Sequence, residues 1–126
     1  FGSTMTVRGV RGATTVTEDT REAILDATTE LITEIVSANG IDKDDLASVQ
    51  FTTTIDLVSE FPAVAARMLG WAHVPLLNSH EMAVQHGFPR CIRVLMMWNT
   101  DRAPQDVKHI YLRDAVNLRT KQSDLT

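Results

Sequence analysis

The stretch "RCIRVLMMWNT", residues 90–100, decides the fold. Its run of branched and sulfur-bearing side chains reads as a strand from about 90 to 100. Strand side chains alternate between faces, so Cys91, Arg93, Leu95 and Met97 share one side. Ile92, Val94, Met96 and Trp98 take the other. Both faces are apolar, so both should be buried, as in the centre of a sheet. Arg93 is then an anomaly. A guanidinium on a buried strand is costly unless an anion pairs with it. The plainer readings are a structural salt bridge or a strand end where Arg93 escapes to solvent. Glu81, in "NSHEMAVQHG", is a candidate internal partner, although a lone glutamate beside a strand end is usually just solvated.

A second anomaly lies near the start, in "VRGVRGATT", residues 7–15. Residues 5–14 read as a first strand, with Gly9 and Gly12 marking a bulge or a close backbone approach. Arg8 and Arg11 are three positions apart and therefore point to opposite faces. If one face is core, one of the two should point inward.

Between these strands the pattern changes period. Ile24, Ala27, Leu31 and Ile35 form a helical stripe, widened by Leu25, Thr28, Ile32 and Val36. Asp19 with Glu22 fits a capping box, and Gly40 is a stop. A helix over about 20–39 is expected. "SVQFTTTID", residues 48–56, sets Val49, Phe51 and Thr53 against Gln50, Thr52 and Thr54, the alternation of a second strand. "EFPAVAARMLGW", residues 60–71, suits a short helix with Pro62 near its first turn and Gly70 at its end. "HVPLLN", residues 73–78, reads as a short strand, placed at an edge or bulge by Pro75. "APQDV" is a turn or a single helical turn. "HIYLRDAVNLR", residues 109–119, is a last strand or extended segment. The order β-α-β-α-β-β-β gives an α+β fold, a mixed sheet with one long helix and short helices on one face. One long helix leaves sheet area uncovered, and association with other copies is the simplest cover.

The chain has 126 residues, enough for one domain with a real core. We place that domain at 5–119, with 1–4 ("FGST") as an appended remnant and 120–126 as a flexible tail. Hydrophobic residues make up 44%, which excludes a disordered chain. Twelve Lys and Arg against sixteen Asp and Glu give a formal charge of −4. That balance does not favour nucleic acid or an anionic membrane as partner. Any anion site must be a local group of arginines. The single cysteine, Cys91, excludes an intrachain disulfide and a cysteine zinc site. It fits a reduced, cytoplasmic setting, and within an apolar strand it reads as an inert thiol. His73, His80, His86 and His109 form no metal-binding spacing, so no metal is expected. No phosphate loop, dinucleotide fingerprint or nucleophile elbow occurs. What remains is Arg11, Arg67, Arg93 and Arg119, a set suited to a small carboxylate gripped by two-point guanidinium contacts.

The blocks "VRGVRGATTV", "FPAVAARMLGW", "VPLLNSHEM", "RCIRVLMMWNT" and "HIYLRDAVNLR" together resemble, in order and spacing, the monofunctional chorismate mutases of the AroH class. The resemblance runs from Met5 to Arg119. It implies a homotrimer whose sheets form a pseudo-α/β-barrel, with active sites between subunits. It implies the Claisen rearrangement of chorismate to prephenate, on the route to phenylalanine and tyrosine, with no cofactor or metal. Carried over by motif, Arg11 should bind a substrate carboxylate, Glu81 the ring hydroxyl, and Arg93 the ether oxygen and a carboxylate. Tyr111 should hydrogen-bond the side-chain carboxylate. From the neighbouring chain, Phe61 should pack on the substrate, Ala63 should line the cleft, and Arg67 should lie near its mouth. Leu76, Leu77 and Asn78 complete the lining. Leu118 and Arg119 belong to a segment that can close over the site. Val64, Leu77 and Asn78 stand where the family commonly has lysine, threonine and cysteine. That bears on affinity more than on reaction type. A second reading is a non-catalytic carboxylate-binding trimer of RidA-like architecture. Disappearance of chorismate on adding the protein separates the two.

Overall fold

A computed structural model of the chain describes residues 5–85 and 87–118. Among these residues, five strands and two α-helices follow the expected order β-α-β-α-β-β-β. They are β1 (Thr6–Thr15), α1 (Arg21–Asn39), β2 (Leu46–Thr53), α2 (Ala63–Met68), β3 (Leu76–His80), β4 (Cys91–Thr100) and β5 (Ile110–Tyr111). The sheet order is β3-β2-β4-β1-β5. β4 lies at the centre, antiparallel to both β1 and β2, while β3 runs parallel to β2 and β5 parallel to β1. Helix α1 is thus the crossover of a β-α-β unit into which β4 is later inserted.

The helix stripe forms as its spacing dictates: Ile24, Leu31, Ile32 and Ile35 are buried. Thr28 is buried among them, its hydroxyl donating to the Ile24 carbonyl. The start of α1 differs from the expected capping box. Thr20 is the N-cap, in extended conformation, and its Oγ1 accepts the Ala23 N–H at 3.1 Å. Asp19 instead turns to a distant loop, where its Oδ1 accepts the N–H groups of Val58 and Ser59. Gly40 ends the helix in the left-handed conformation that glycine adopts without a Cβ penalty.

Gly12 sets how near α1 lies to the sheet. A Cβ there would stand 2.5 Å from Ile35 Cδ1 and 3.1 Å from Val94 Cγ1. The main core therefore lies between α1, α2 and one face of the sheet, with Val10, Phe51, Val94, Met96 and Trp98 supplied by the strands.

That arrangement corrects one expectation and completes another. First, among the described residues β4 is covered along its whole length on one face only; on the other face Cys91 is buried but the residues after it are not. Ile92, Val94, Met96 and Trp98 are buried, while Leu95 is exposed and Arg93 and Met97 are half-buried. Second, Arg8 and Arg11 take opposite faces as expected, and the core side is Arg8's. Arg8 Nε donates to the Arg102 carbonyl at the rim of the helix-covered face. Arg11 is exposed on the open face, opposite Leu95 and diagonal to Arg93, which pairs with Ala13. The alternation fixes the opposition; the helix docking on Gly12 fixes which side is which. Smaller differences follow from tertiary contacts. β2 starts two residues early, at a register irregularity between Leu46 and Ser48. β5 is cut to two residues, and the chain then turns at Arg113–Ala115. The assigned remnant 1–4, His86, Arg119 and the tail lie outside the described residues.

Candidate active site

The open face of the sheet holds a cavity of about 230 Å³. Arg11, Gln50, Thr52, Glu81, Arg93, Leu95 and Tyr111 line it. Four residues singled out from the sequence, Arg11, Glu81, Arg93 and Tyr111, are thereby brought together from β1, the segment after β3, β4 and β5.

Each is held by main-chain structure. The start of β4 is pinned just ahead of Arg93. The Arg90 N–H donates to Asp56 Oδ2, and the Cys91 N–H to Thr54 Oγ1. The Glu81 N–H donates to the Thr53 carbonyl, so the residue after β3 stays tied to β2. Tyr111 depends on a strand too short to hold itself. Fully buried Asn39 grips both polar groups of the Lys108 main chain, donating to its carbonyl at 2.9 Å and accepting its N–H at 2.8 Å. Two-residue β5 then pairs with β1, Tyr111 opposite Ala13. Between these two anchors, His109 Nδ1 accepts the main-chain N–H of Arg11 at 3.0 Å.

The electrostatic centre is the pair Arg93–Glu81. Arg93 Nε donates to Glu81 Oε2 at 2.7 Å, and its Nη2 donates to Oε1. Thr52 Oγ1 donates to Oε2 at 2.8 Å. Burial pushes the Glu81 carboxyl up, but the donors Arg93 and Thr52 and the Arg93 charge outweigh it, and the net shift is downward. The same pairing raises Arg93 against its own burial. Both groups are therefore charged at neutral pH. Among the described residues, no carboxylate pairs with the Arg11 guanidinium. Among the described residues, two arginines and one glutamate give the cavity one net positive charge. Cys91, next to the site in sequence, is buried, and burial pushes its thiol up to about 11. It is no nucleophile at physiological pH.

The remaining singled-out residues lie elsewhere. Phe61 and Asn78 line a second cavity, of about 340 Å³, with Leu57, Ser59, Pro62 and His80. Arg67 and Leu76 line a third, of about 290 Å³. Asn78 Oδ1 accepts the Ala63 N–H at 3.0 Å, so Asn78 faces α2 rather than Glu81. Ala63 is fully buried in the core of its own chain. Leu77 is exposed, and Leu118 is half-buried at the end of the described chain. Thr52 and His109 were not singled out. The signal for Thr52 was present, since β2 alternates and its polar face carries Gln50 and Thr52.

Comparison with known proteins gives concordant results. The family described as "Chorismate mutase type I" matches residues 7–122. The chain is 55% identical to the chorismate mutase AroH of Thermus thermophilus, over 90% of this chain and 93% of that one. It is 41% identical to the chorismate mutase AroH of Bacillus subtilis, over 96% and 100%. A solved chorismate mutase from Clostridium thermocellum superposes with a TM-score of 0.85 at 42% identity, covering 86% of this chain and 97% of that one.

Proposed function

The chain belongs to the type I chorismate mutases, isomerases that rearrange chorismate to prephenate, and from that premise we propose that its catalytic centre is the cavity of Arg11, Glu81, Arg93 and Tyr111. The carrying observation is the two-point contact of Arg93 with Glu81 on an otherwise open sheet face.

The rearrangement is unimolecular: one C–O bond breaks as one C–C bond forms. It needs neither a proton donor nor a nucleophile. The protein must hold a flexible enolpyruvyl arm over the ring in a near-attack shape. Arg11 and Tyr111 grip the carboxylates, and Glu81 accepts the ring hydroxyl. Negative charge grows on the ether oxygen in the transition state. A fixed cation at Arg93 lowers the energy of that state more than the ground state, and this difference accelerates the step. Glu81 pairs with Arg93 and holds it in place in the empty site.

The site is completed by a neighbouring copy in a homotrimer. Three observations support this. The substrate is a dianion, and the cavity offers one net positive charge. Phe61 and Arg67, the other substrate-facing residues of the resemblance, line separate cavities in the same chain. Phe61, Leu77 and Leu95 are large apolar side chains left exposed. A second copy that brings Phe61 and Arg67 over the first copy's Arg93 meets all three conditions. A cytoplasmic location is part of the same reading, since the substrate is an intracellular metabolite of aromatic amino-acid synthesis. The carboxylate-binder alternative has no support in the comparisons.

Co-expression tests the shared site. Arg93→Ala and Phe61→Asp chains each give a trimer with three damaged sites. In mixed trimers, a site is whole where a Phe61→Asp chain supplies Arg93 and its Arg93→Ala neighbour supplies Phe61. Random assembly makes about one quarter of sites whole. Activity should rise to roughly a quarter of wild type. If mixing returns only the average of the two parents, the site is built within one chain.

A further inference from the structure

We propose that Thr52 is a positioning residue that holds one oxygen of Glu81 while the other is exchanged from Arg93 to substrate. The inference rests on the reading of Glu81 and Arg93 given above, and it assigns a function to a side chain outside that set.

Thr52 on β2 stands directly opposite Arg93 on β4. The register puts both side chains on the open face, converging on one carboxylate. An ionised carboxylate only accepts, so Thr52 is the donor. Its Oγ1 reaches Oε2 at 2.8 Å, and Arg93 Nε reaches the same oxygen at 2.7 Å. Oε1 takes its bond from Arg93 Nη2. The two oxygens are therefore unequal: Oε2 has a donor independent of Arg93, and Oε1 does not.

That asymmetry matters once substrate enters. Arg93 must direct N–H groups to the ether oxygen and a carboxylate, so its hold on Glu81 weakens. Glu81 must stay ionised and oriented to accept the ring hydroxyl. A half-buried carboxylate stripped of donors swings and drifts toward protonation. Thr52 belongs to β2, which is paired on both sides, and does not move with the guanidinium. It keeps Oε2 anchored and leaves Oε1 as the oxygen offered to the hydroxyl. Among the ionisable groups around Glu81, Arg93 and Cys91 come from β4, Arg11 from β1 and Tyr111 from β5. The Cys91 thiol is neutral, which leaves Thr52 as the donor that does not also serve the substrate.

The test uses Thr52→Val and Thr52→Ser, each in the wild-type and Glu81→Ala backgrounds, with circular dichroism to confirm folding. kcat and KM are measured from acid to neutral pH. Thr52→Val should lose about tenfold in kcat/KM, the size expected for a hydrogen bond to a charged group. Its acid limb should move to higher pH, because removing a donor from a carboxylate raises its pKa. The substrate's own titration is common to every variant and cancels. Thr52→Ser should restore both rate and limb. In the Glu81→Ala background, Thr52→Val should add no further loss. An unshifted acid limb with normal kcat/KM in Thr52→Val overturns the proposal. So does an equal loss in the Glu81→Ala background, which would mean that Thr52 acts on substrate directly. If Glu81→Ala alone keeps the wild-type rate, the reading of the site fails, and this proposal with it.

Discussion

Glu81 and Arg93 meet as a two-point fork: Arg93 Nε and Nη2 donate to the two oxygens of one carboxylate. The pair joins the residue after the edge strand to the central strand, across β2. A fork of this kind keeps a cation oriented on a sheet face that the other described residues leave open. It also sets a pH dependence that can be measured without substrate.

Glu81 has its carboxyl held below the ordinary value of 4.5, with burial opposed and outweighed by the Arg93 and Thr52 donors. A group whose folded pKa is depressed contributes stability that is complete above its unfolded pKa. That contribution is lost as pH falls through the folded value. Glu81→Gln removes the contribution. The difference in urea midpoint between wild type and Glu81→Gln should be largest near neutral pH and should close in acid, below about pH 4.5. Asp56 and Glu60 are also depressed, but they are present in both proteins and cancel. A gap that persists unchanged in acid would show that the fork contributes no linked stability.

Gly12 carries the contact between α1 and the sheet. Gly12→Ala places a methyl against Ile35, Val94 and Leu31 at once. Two of those neighbours come from the helix and one from the central strand, so no single rotamer change clears the space. Overpacking of this kind costs about 1–3 kcal/mol. Thermal unfolding should show a clear loss for Gly12→Ala and a larger one for Gly12→Val. An unchanged Tm in both would mean that the helix is free to shift outward.

Thr14 is fully buried on the same face, and among the described residues its hydroxyl has no hydrogen-bond partner. Valine has nearly the same shape and no group to satisfy. Thr14→Val should raise stability by roughly 1 kcal/mol, from the relief of an unmet polar group and the better fit of valine to a strand. Chemical denaturation measures it. A loss of stability would indicate that the hydroxyl finds a partner in solution.

Structure that depends on local physics is legible in the residues. Alternation in residues 90–100 and the stripe from Ile24 to Ile35 depend only on neighbours, and both elements form as expected. The link between Arg93 and Glu81 was legible because a cation on an apolar strand needs a partner. Non-local effects were not legible. Asp19 has the right spacing to cap α1, yet the Val58 and Ser59 N–H groups take its carboxylate, and Thr20 caps in its place. The covered face of β1 depends on where α1 docks, which the alternation of Arg8 and Arg11 cannot state. Thr52 looks like any strand threonine until register sets it against Arg93.

The central claim is that Arg93 accelerates the rearrangement by meeting charge that appears only in the transition state. The most direct measurement is kcat for Arg93→Ala at saturating chorismate, with folding and assembly verified. A preorganised donor of this kind is worth roughly 3–4 kcal/mol, so kcat should fall by at least about 10²-fold. Arg93→Lys should recover little, because one ammonium cannot reproduce a two-point fork. A folded Arg93→Ala enzyme that turns over chorismate at nearly the wild-type kcat would contradict the account.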